Sequence, residues 1–276
     1  MSALPTRPLG RTSHRVSVFA LGGVTYNSHE DAHATAVVHR ALDLGVNYID
    51  TAHTYTDSER KIGLVMSERR NEVYLATKSN RRDHDGMAEA IEESLTRLRT
   101  DRIDCVQIHD LGDERELAEI TGAKGALKAI EQFRRQGSVR FVGVTGHRNP
   151  EILAKALQEY SFDTLLVALG AMHAAVRPFY EVVMPAAQQR GVAVLGMKVM
   201  AHGWLAPRAA HAVRFVLGLP GVSAAVVGVD NIEELEQNVK AARDIRPLGD
   251  AELGDLLQTA REKYHERPHE AWFIHK

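Results

Sequence analysis

Asp50, Tyr55, Lys78 and His109 are four polar residues whose types interlock chemically. A phenol titrates near ~10, which makes an isolated tyrosine a poor proton donor at neutral pH. A lysine ammonium beside it favours the phenolate and lowers that pKa, and an aspartate beside the lysine keeps the ammonium placed and charged. A histidine can donate a hydrogen bond to a substrate oxygen and so orient a carbonyl. Such a set would protonate an alkoxide as hydride transfer creates it. Taken singly, each residue also has a structural reading: Asp50 as a helix cap, Tyr55 as loop cover, Lys78 as a solvated rim residue, His109 as a satisfied structural histidine. Their placement decides between the readings, because three of them close apolar runs of strand length and Tyr55 follows one five positions on.

Those runs are Val16–Leu21, Val46–Asp50, Val73–Thr77, Asp104–His109, Val139–Thr145, Asp163–Leu169, Val192–Lys198 and Ala224–Val229. Each is short and mostly apolar, as for parallel strands buried on both faces. Helix candidates fill the intervals; over 31–44, Val37, Val38, Ala41 and Leu42 recur at helical spacing and Gly45 stands where a helix stops. Eight alternating units imply right-handed crossovers and close naturally into a barrel, an α/β (β/α)8 TIM fold. The glycine-marked start reads as a short hairpin; a helix over 250–264 and a tail ending in Trp272 and Phe273 lie outside the eight units. An open doubly wound sheet would show a glycine-rich phosphate loop after its first strand, and Gly22-Gly23 is not that fingerprint. With no linker or composition break, residues 1–276 are expected to form one domain.

The bulk numbers narrow the partners. Among 276 residues, 44% are hydrophobic and the formal charge is -2; nothing draws the chain toward nucleic acid or an anionic membrane, so a small molecule is the expected partner. Cys105 is the only cysteine, which excludes an intrachain disulfide and fits a reducing cytoplasm. No run approaches the ~20 apolar residues of a spanning helix, and the residues MSALPTRPLGRTSHR hold no apolar run that could serve as a signal peptide. Oligomeric state is not legible.

The segments GVNYIDTAHTYTDSERKIG (45–63), LATKSN (75–80), SLTRLRTDRIDCVQIHDL (94–111) and GSVRFVGVTGH (137–147) resemble the aldo-keto reductases. The resemblance extends from PLGRTSHRVSVFALGG (8–23) to VVGVDNIEELEQN (226–238). It implies an oxidoreductase that passes a hydride between a nicotinamide dinucleotide and an aldehyde or ketone, with Tyr55 as proton donor and Asp50, Lys78 and His109 completing a catalytic tetrad. It also implies cofactor contacts at Gly23, Thr25, Asp50, Thr145, Gly146, Lys198, Gly228, Asn231, Glu234 and Asn238. Several positions depart from the family pattern. Thr145-Gly146 replaces a serine-asparagine pair, Gly170 stands where an amide side chain is usual, and Lys198 replaces the aromatic that stacks on the nicotinamide. The family favours NADP(H), yet the stretch 228–234 lacks Lys and Arg and carries Asp230, Glu233 and Glu234, which points toward NAD(H).

Three other readings compete. A metal-dependent barrel hydrolase would use Asp50, His53, His109 and Asp110, although paired histidines on one strand are missing; no metal site is expected. A Schiff-base aldolase would use Lys78. A non-catalytic nicotinamide-binding redox sensor would keep the cofactor groove alone.

Overall fold

The computed structural model describes residues 3–266, so the tail with Trp272 and Phe273 lies outside the described residues. Strands β1 (Thr6–Pro8) and β2 (Arg15–Ser17) pair antiparallel as a hairpin. Eight parallel strands follow: β3 (Phe19–Gly22), β4 (Tyr48–Asp50), β5 (Tyr74–Ser79), β6 (Ile103–Ile108), β7 (Val139–Gly146), β8 (Thr164–Ala168), β9 (Ala193–Met197) and β10 (Val222–Gly228). They close into a barrel in the order β10-β3-β4-β5-β6-β7-β8-β9. Helices run between them, from α1 (Asp31–Asp43) and α2 (Ser58–Arg69) after the first two strands to α9 (Ala209–Gly218) and α10 (Ile232–Arg243) flanking β10. The chain is thus a (β/α)8 barrel with an N-terminal hairpin and, at Asp250–Glu266, a further helix.

The first expected strand needs correction. Val16–Leu21 is not one element: Val16 and Ser17 belong to the hairpin, and the barrel strand starts at Phe19. The apolar run is continuous because both pieces are buried, so periodicity could not show the break. The hairpin plugs the N-terminal mouth. Leu9 and Val16 join Ala20, Tyr48, Tyr74, Ala76 and Cys105 in the barrel's interior cluster, and His14 meets Tyr74 and Phe141 edge-on at 5.3 and 5.5 Å. Backbone bonds fasten it, with Val18 N–H donating to Pro5 O at 3.0 Å and Ser223 Oγ to Pro8 O at 3.0 Å. A second apolar layer, between strands and helices, includes Val37, Val38, Ala41 and Leu42 of α1. That helix ends as expected, with Gly45 at φ +89°, where a side chain would be strained. No helix among the described residues is long and apolar enough to cross a membrane. With one mouth sealed, polar side chains are left the other: the C-terminal ends of the strands.

Candidate active site

Successive side chains on a strand alternate between barrel interior and helix layer, and this alternation sets the site. Ala76 and Lys78 of β5 point inward, as do Cys105 and Gln107 of β6, with His109 two residues on. The register pairs Asp50 with Ala76 and Lys78 with Gln107, so residues far apart in sequence converge. Lys78 is 2% exposed and Asp50 4% exposed. The Lys78 ammonium donates to Asp50 Oδ2 and, at 2.8 Å, to Thr51 O. Asp50 Oδ1 accepts from Gln107 Nε2 at 2.8 Å. Both carboxylate oxygens are therefore satisfied, the condition under which a buried ion pair is tolerated.

Tyr55 reaches this pair from the loop after β4, where Tyr55 N–H donates to Ala52 O at 2.9 Å and Tyr55 O accepts from Ser58 N–H at 2.7 Å at the start of α2. Lys78 Nζ lies 4.8 Å from the centroid of the Tyr55 ring, and the His109 ring stands edge-on to it at 6.0 Å. Burial pushes the Tyr55 phenol above its ordinary pKa, while Lys78 pulls it down and Asp50 pushes it up. The lysine acts in the expected direction, but burial outweighs it. Burial also works against the Lys78 ammonium, yet Asp50 and Tyr55 outweigh that and hold it above the ordinary lysine value. His109 is held well below 6.5, first by burial and then by Lys78, so its imidazole is neutral at pH 7.

A cavity of about 510 Å³ runs from Asp50, Tyr55 and Lys78 to Asp230, Glu234 and Asn238. Gly22, Gly23 and Gly228 form part of its wall; a Cβ at Gly23 would sit 2.6 Å from Ser58 Oγ, so α2 packs directly on the backbone there. Of the expected cofactor contacts, Gly23, Thr25, Asp50, Lys198, Gly228, Glu234 and Asn238 line this groove. Thr145, Gly146 and Asn231 do not. Thr145 is fully buried and its hydroxyl accepts from Asp110 N–H at 2.9 Å; Gly146 packs on Leu111 and Leu153. Asn231 caps α10, accepting from Glu234 N–H at 2.9 Å, and Glu234 returns to Asp230 N–H at 3.0 Å. The N–H groups of Asp230 and Glu234 are thus already engaged. Arg208, after the same strand as Lys198, pairs with Asp255 at 2.9 Å.

Beyond β9 the chain turns sharply, and Lys198, Ala201 and His202 have φ of +60°, +45° and +56°. Each such L-residue costs roughly 1–2 kcal/mol. Gly170 makes the turn possible, since a Cβ there would meet Lys198 O at 2.2 Å. The two departures at 170 and 198 are thus one structural fact. Lys198 Nζ lies 3.2 Å from His202 Nε2, and burial, then Lys78, lower Lys198 to about 8. Opposite, Asp110 is held by Arg148 at 3.0 Å and His147 at 3.4 Å.

Sequence reasoning missed Gln107 and His202. Gln107 had a signal, as a polar residue on the inward face of an otherwise apolar strand. His202 had none, because only the turn after β9 brings it to the groove. The competing chemistries lose their residues to other partners. His53 Nε2 bonds Glu93 at 2.8 Å, Asp50 is taken by Lys78 and Gln107, and among the described residues no three His, Cys, Asp or Glu side chains group to hold a metal. A lysine kept protonated by a buried carboxylate is a poor Schiff-base nucleophile.

Comparison with known proteins places this architecture. The profile of the Aldo/keto reductase family matches residues 19–211. The chain is 23% identical to the uncharacterized oxidoreductase YqkF of Bacillus subtilis, over 93% of this chain and 96% of that protein. It is 26% identical to L-galactose dehydrogenase of Arabidopsis thaliana, over 90% and 91%. The holo form of aldo-keto reductase AKR11C1 from Bacillus halodurans shares the fold, with a TM-score of 0.76 at 22% identity over 94% of this chain and 96% of that one. The chain belongs to the aldo/keto reductase family.

Proposed function

We propose that this protein is an NAD(P)H-dependent carbonyl reductase in which Tyr55 is the proton donor. The observation that carries the reading is the Lys78 ammonium, bonded to Asp50 inside the barrel and 4.8 Å from the centre of the Tyr55 ring. The groove suits a dinucleotide: the backbone of Gly22, Gly23 and Gly228 and the buried Asn238 line it together with Tyr55 and Lys78. A nicotinamide bound there supplies hydride. Gly23, Thr25, Gly228 and Asn238 would hold the dinucleotide, and Tyr55, Lys78 and His109 act on the carbonyl. His109, neutral, donates a hydrogen bond to the carbonyl oxygen and fixes its direction. Tyr55 gives its proton to that oxygen as negative charge gathers on it. Lys78 steadies the phenolate left behind, and Asp50 with Gln107 keeps Lys78 charged and in place.

The test is a panel of aldehydes and ketones with NADPH and NADH supplied separately, for wild type and Tyr55→Phe. The variant should lose at least roughly 100-fold in kcat, the lower range for a lost general acid, while binding the dinucleotide nearly as well. Wild-type turnover by the variant would remove Tyr55 from the mechanism. Cofactor binding without turnover of any carbonyl by the wild type would favour a nicotinamide-binding sensor.

A further inference from the structure

We propose that Glu116 is a positioning residue of the reductase site: acting through Arg82 and Arg148, it holds the backbone just beyond β6 in the conformation that aims the His109 imidazole at the carbonyl oxygen. This inference rests on the reductase reading, in which His109 orients the substrate. His109 lies between the end of β6 and Asp110, whose φ of +54° is left-handed. A residue other than glycine keeps such a conformation only where its surroundings fix it, and here each polar group of the Asp110 backbone is held. Its N–H donates to Thr145 Oγ1 at 2.9 Å. Its carbonyl accepts from Arg148 Nη2 at 2.8 Å and from Arg82 Nη2 at 3.1 Å. Arg82 Nη2 also reaches the carbonyl of His109 itself, at 2.9 Å, while the His109 N–H donates to Ser79 O at 2.9 Å, next to Lys78.

Two guanidiniums that converge on one carbonyl repel each other unless carboxylates neutralise them. Asp110 gives its own carboxylate to Arg148 at 3.0 Å, and the carboxylate paired with Arg82 is Glu116, at 3.1 Å. Glu116 stands in the first turn of α4 (Glu114–Thr121). Its Oε2 accepts from Gly112 N–H at 2.9 Å, and both its oxygens lie 3.5 Å from Arg148 Nη2. The Glu116 and Arg82 side chains are only 16% and 13% exposed, so water and salt weaken the pair less than they would at the surface. Gly112 belongs to the same arrangement, since a Cβ there would run into the Arg148 guanidinium. One carboxylate thus ties together the loops after β5, β6 and β7 around the backbone that carries His109. The ring's own contact is slight: Thr54 Oγ1 lies 3.4 Å from His109 Nδ1, too long to hold the imidazole by itself. Without the Glu116 charge, Arg82 loses its counter-ion, and the His109–Asp110 backbone is free to relax and turn the imidazole aside.

The experiment measures kcat and KM for the best carbonyl substrate of the panel with wild type, Glu116→Gln, His109→Gln and the double variant. In parallel, NMR of isotope-labelled protein follows the nuclear Overhauser contact between the His109 and Tyr55 rings, whose centroids lie 6.0 Å apart. Glu116→Gln should lower kcat by roughly 10- to 100-fold, the scale of a misplaced catalytic group, with KM and dinucleotide binding nearly unchanged. In the His109→Gln background the same substitution should cost less than about twofold, because residues that act as a unit do not lose activity independently. The ring contact should fade in Glu116→Gln. Glu119→Gln, which removes the same charge from an exposed position on the same helix, should change none of these. If Glu116→Gln does not fold, Arg82→Gln is read in its place by the same measurements. Wild-type kcat in the variant, losses that multiply in the double variant, or an unaltered ring contact would each overturn the proposal and leave Glu116 as a tether of α4 alone. Should wild type reduce no carbonyl, the reductase reading falls, and the ring contact still decides whether Glu116 positions His109.

Discussion

Burial and Lys78 act on the Tyr55 phenol in opposite directions, and burial is the larger. Burial alone would make the phenol a weaker acid, slower to give up its proton. The ammonium at 4.8 Å works against that burial, and a charge this desolvated acts through a lower dielectric than water. Under the proposed mechanism Tyr55 starts alcohol oxidation as phenolate, so the rate should climb as pH rises through the phenol pKa. Lys78→Met removes the group that lowers this pKa, while Asp50, which raises it, stays. The rising limb should therefore move to higher pH, with most activity lost at neutral pH. A pH-rate profile of the variant checks the direction, and an unchanged limb would take Lys78 out of the mechanism.

Two elements shape the groove, the turn after β9 and the start of α10. Gly170→Ala places a methyl against the Lys198 backbone carbonyl, which cannot swing away as a side chain could. Overpacking of this kind costs roughly 1–3 kcal/mol, so thermal denaturation should show a lowered Tm together with reduced kcat/KM. Gly218→Ala is the control, since its added Cβ meets nothing within 4 Å; equal losses in both would show that the turn is not what Gly170 protects. At α10, Glu234 both caps the helix and lines the groove. Glu234→Arg should tighten NADPH binding by roughly 1–3 kcal/mol through a charge-assisted bond to its extra phosphate, at a cost of about 1 kcal/mol of cap stability. Fluorescence titration reads the first effect. Tight wild-type binding of NADPH with rejection of NADH would show that another group serves the 2′-phosphate.

These elements also mark where sequence reading stops. Strand ends could be read because apolar runs close on polar residues, and Asp50, Lys78 and His109 lie at or next to three such ends. The hairpin break after Ser17 could not, since burial on both sides leaves no change in pattern. Thr145 was expected to contact the cofactor, but it does not line the groove and its hydroxyl accepts from the backbone N–H of Asp110, a residue in the left-handed conformation at φ +54°. Hydrogen bonds made within loops depend on dihedral angles that residue types alone do not specify.

At the scale of the whole molecule, sealing one mouth with a hairpin concentrates polar groups at the other, and histidines there are kept neutral. His109 lies well below 6.5 and His147 is lowered to about 4, in each case by burial first. In His147 the nearby Asp110 carboxylate works the other way, and burial wins. A depressed folded-state pKa means that the unfolded chain takes up protons first as pH falls. The stability tied to these residues is then complete above the unfolded value of ~6.5 and is lost as pH drops from there toward about 4. At 1.36 kcal/mol per pH unit, His147 alone contributes up to roughly 3 kcal/mol across that window. For a chain of this size that corresponds to a Tm drop of roughly 5 °C. Melting wild type and His147→Gln at pH 7.5, 5.5 and 4.5 separates this residue from general acid effects. The variant should begin with a lower Tm at pH 7.5 if the imidazole's packing is lost, but its Tm should fall less between pH 7.5 and 4.5. Parallel declines in the two proteins would show that His147 is protonated in the folded state and that acid destabilisation originates elsewhere.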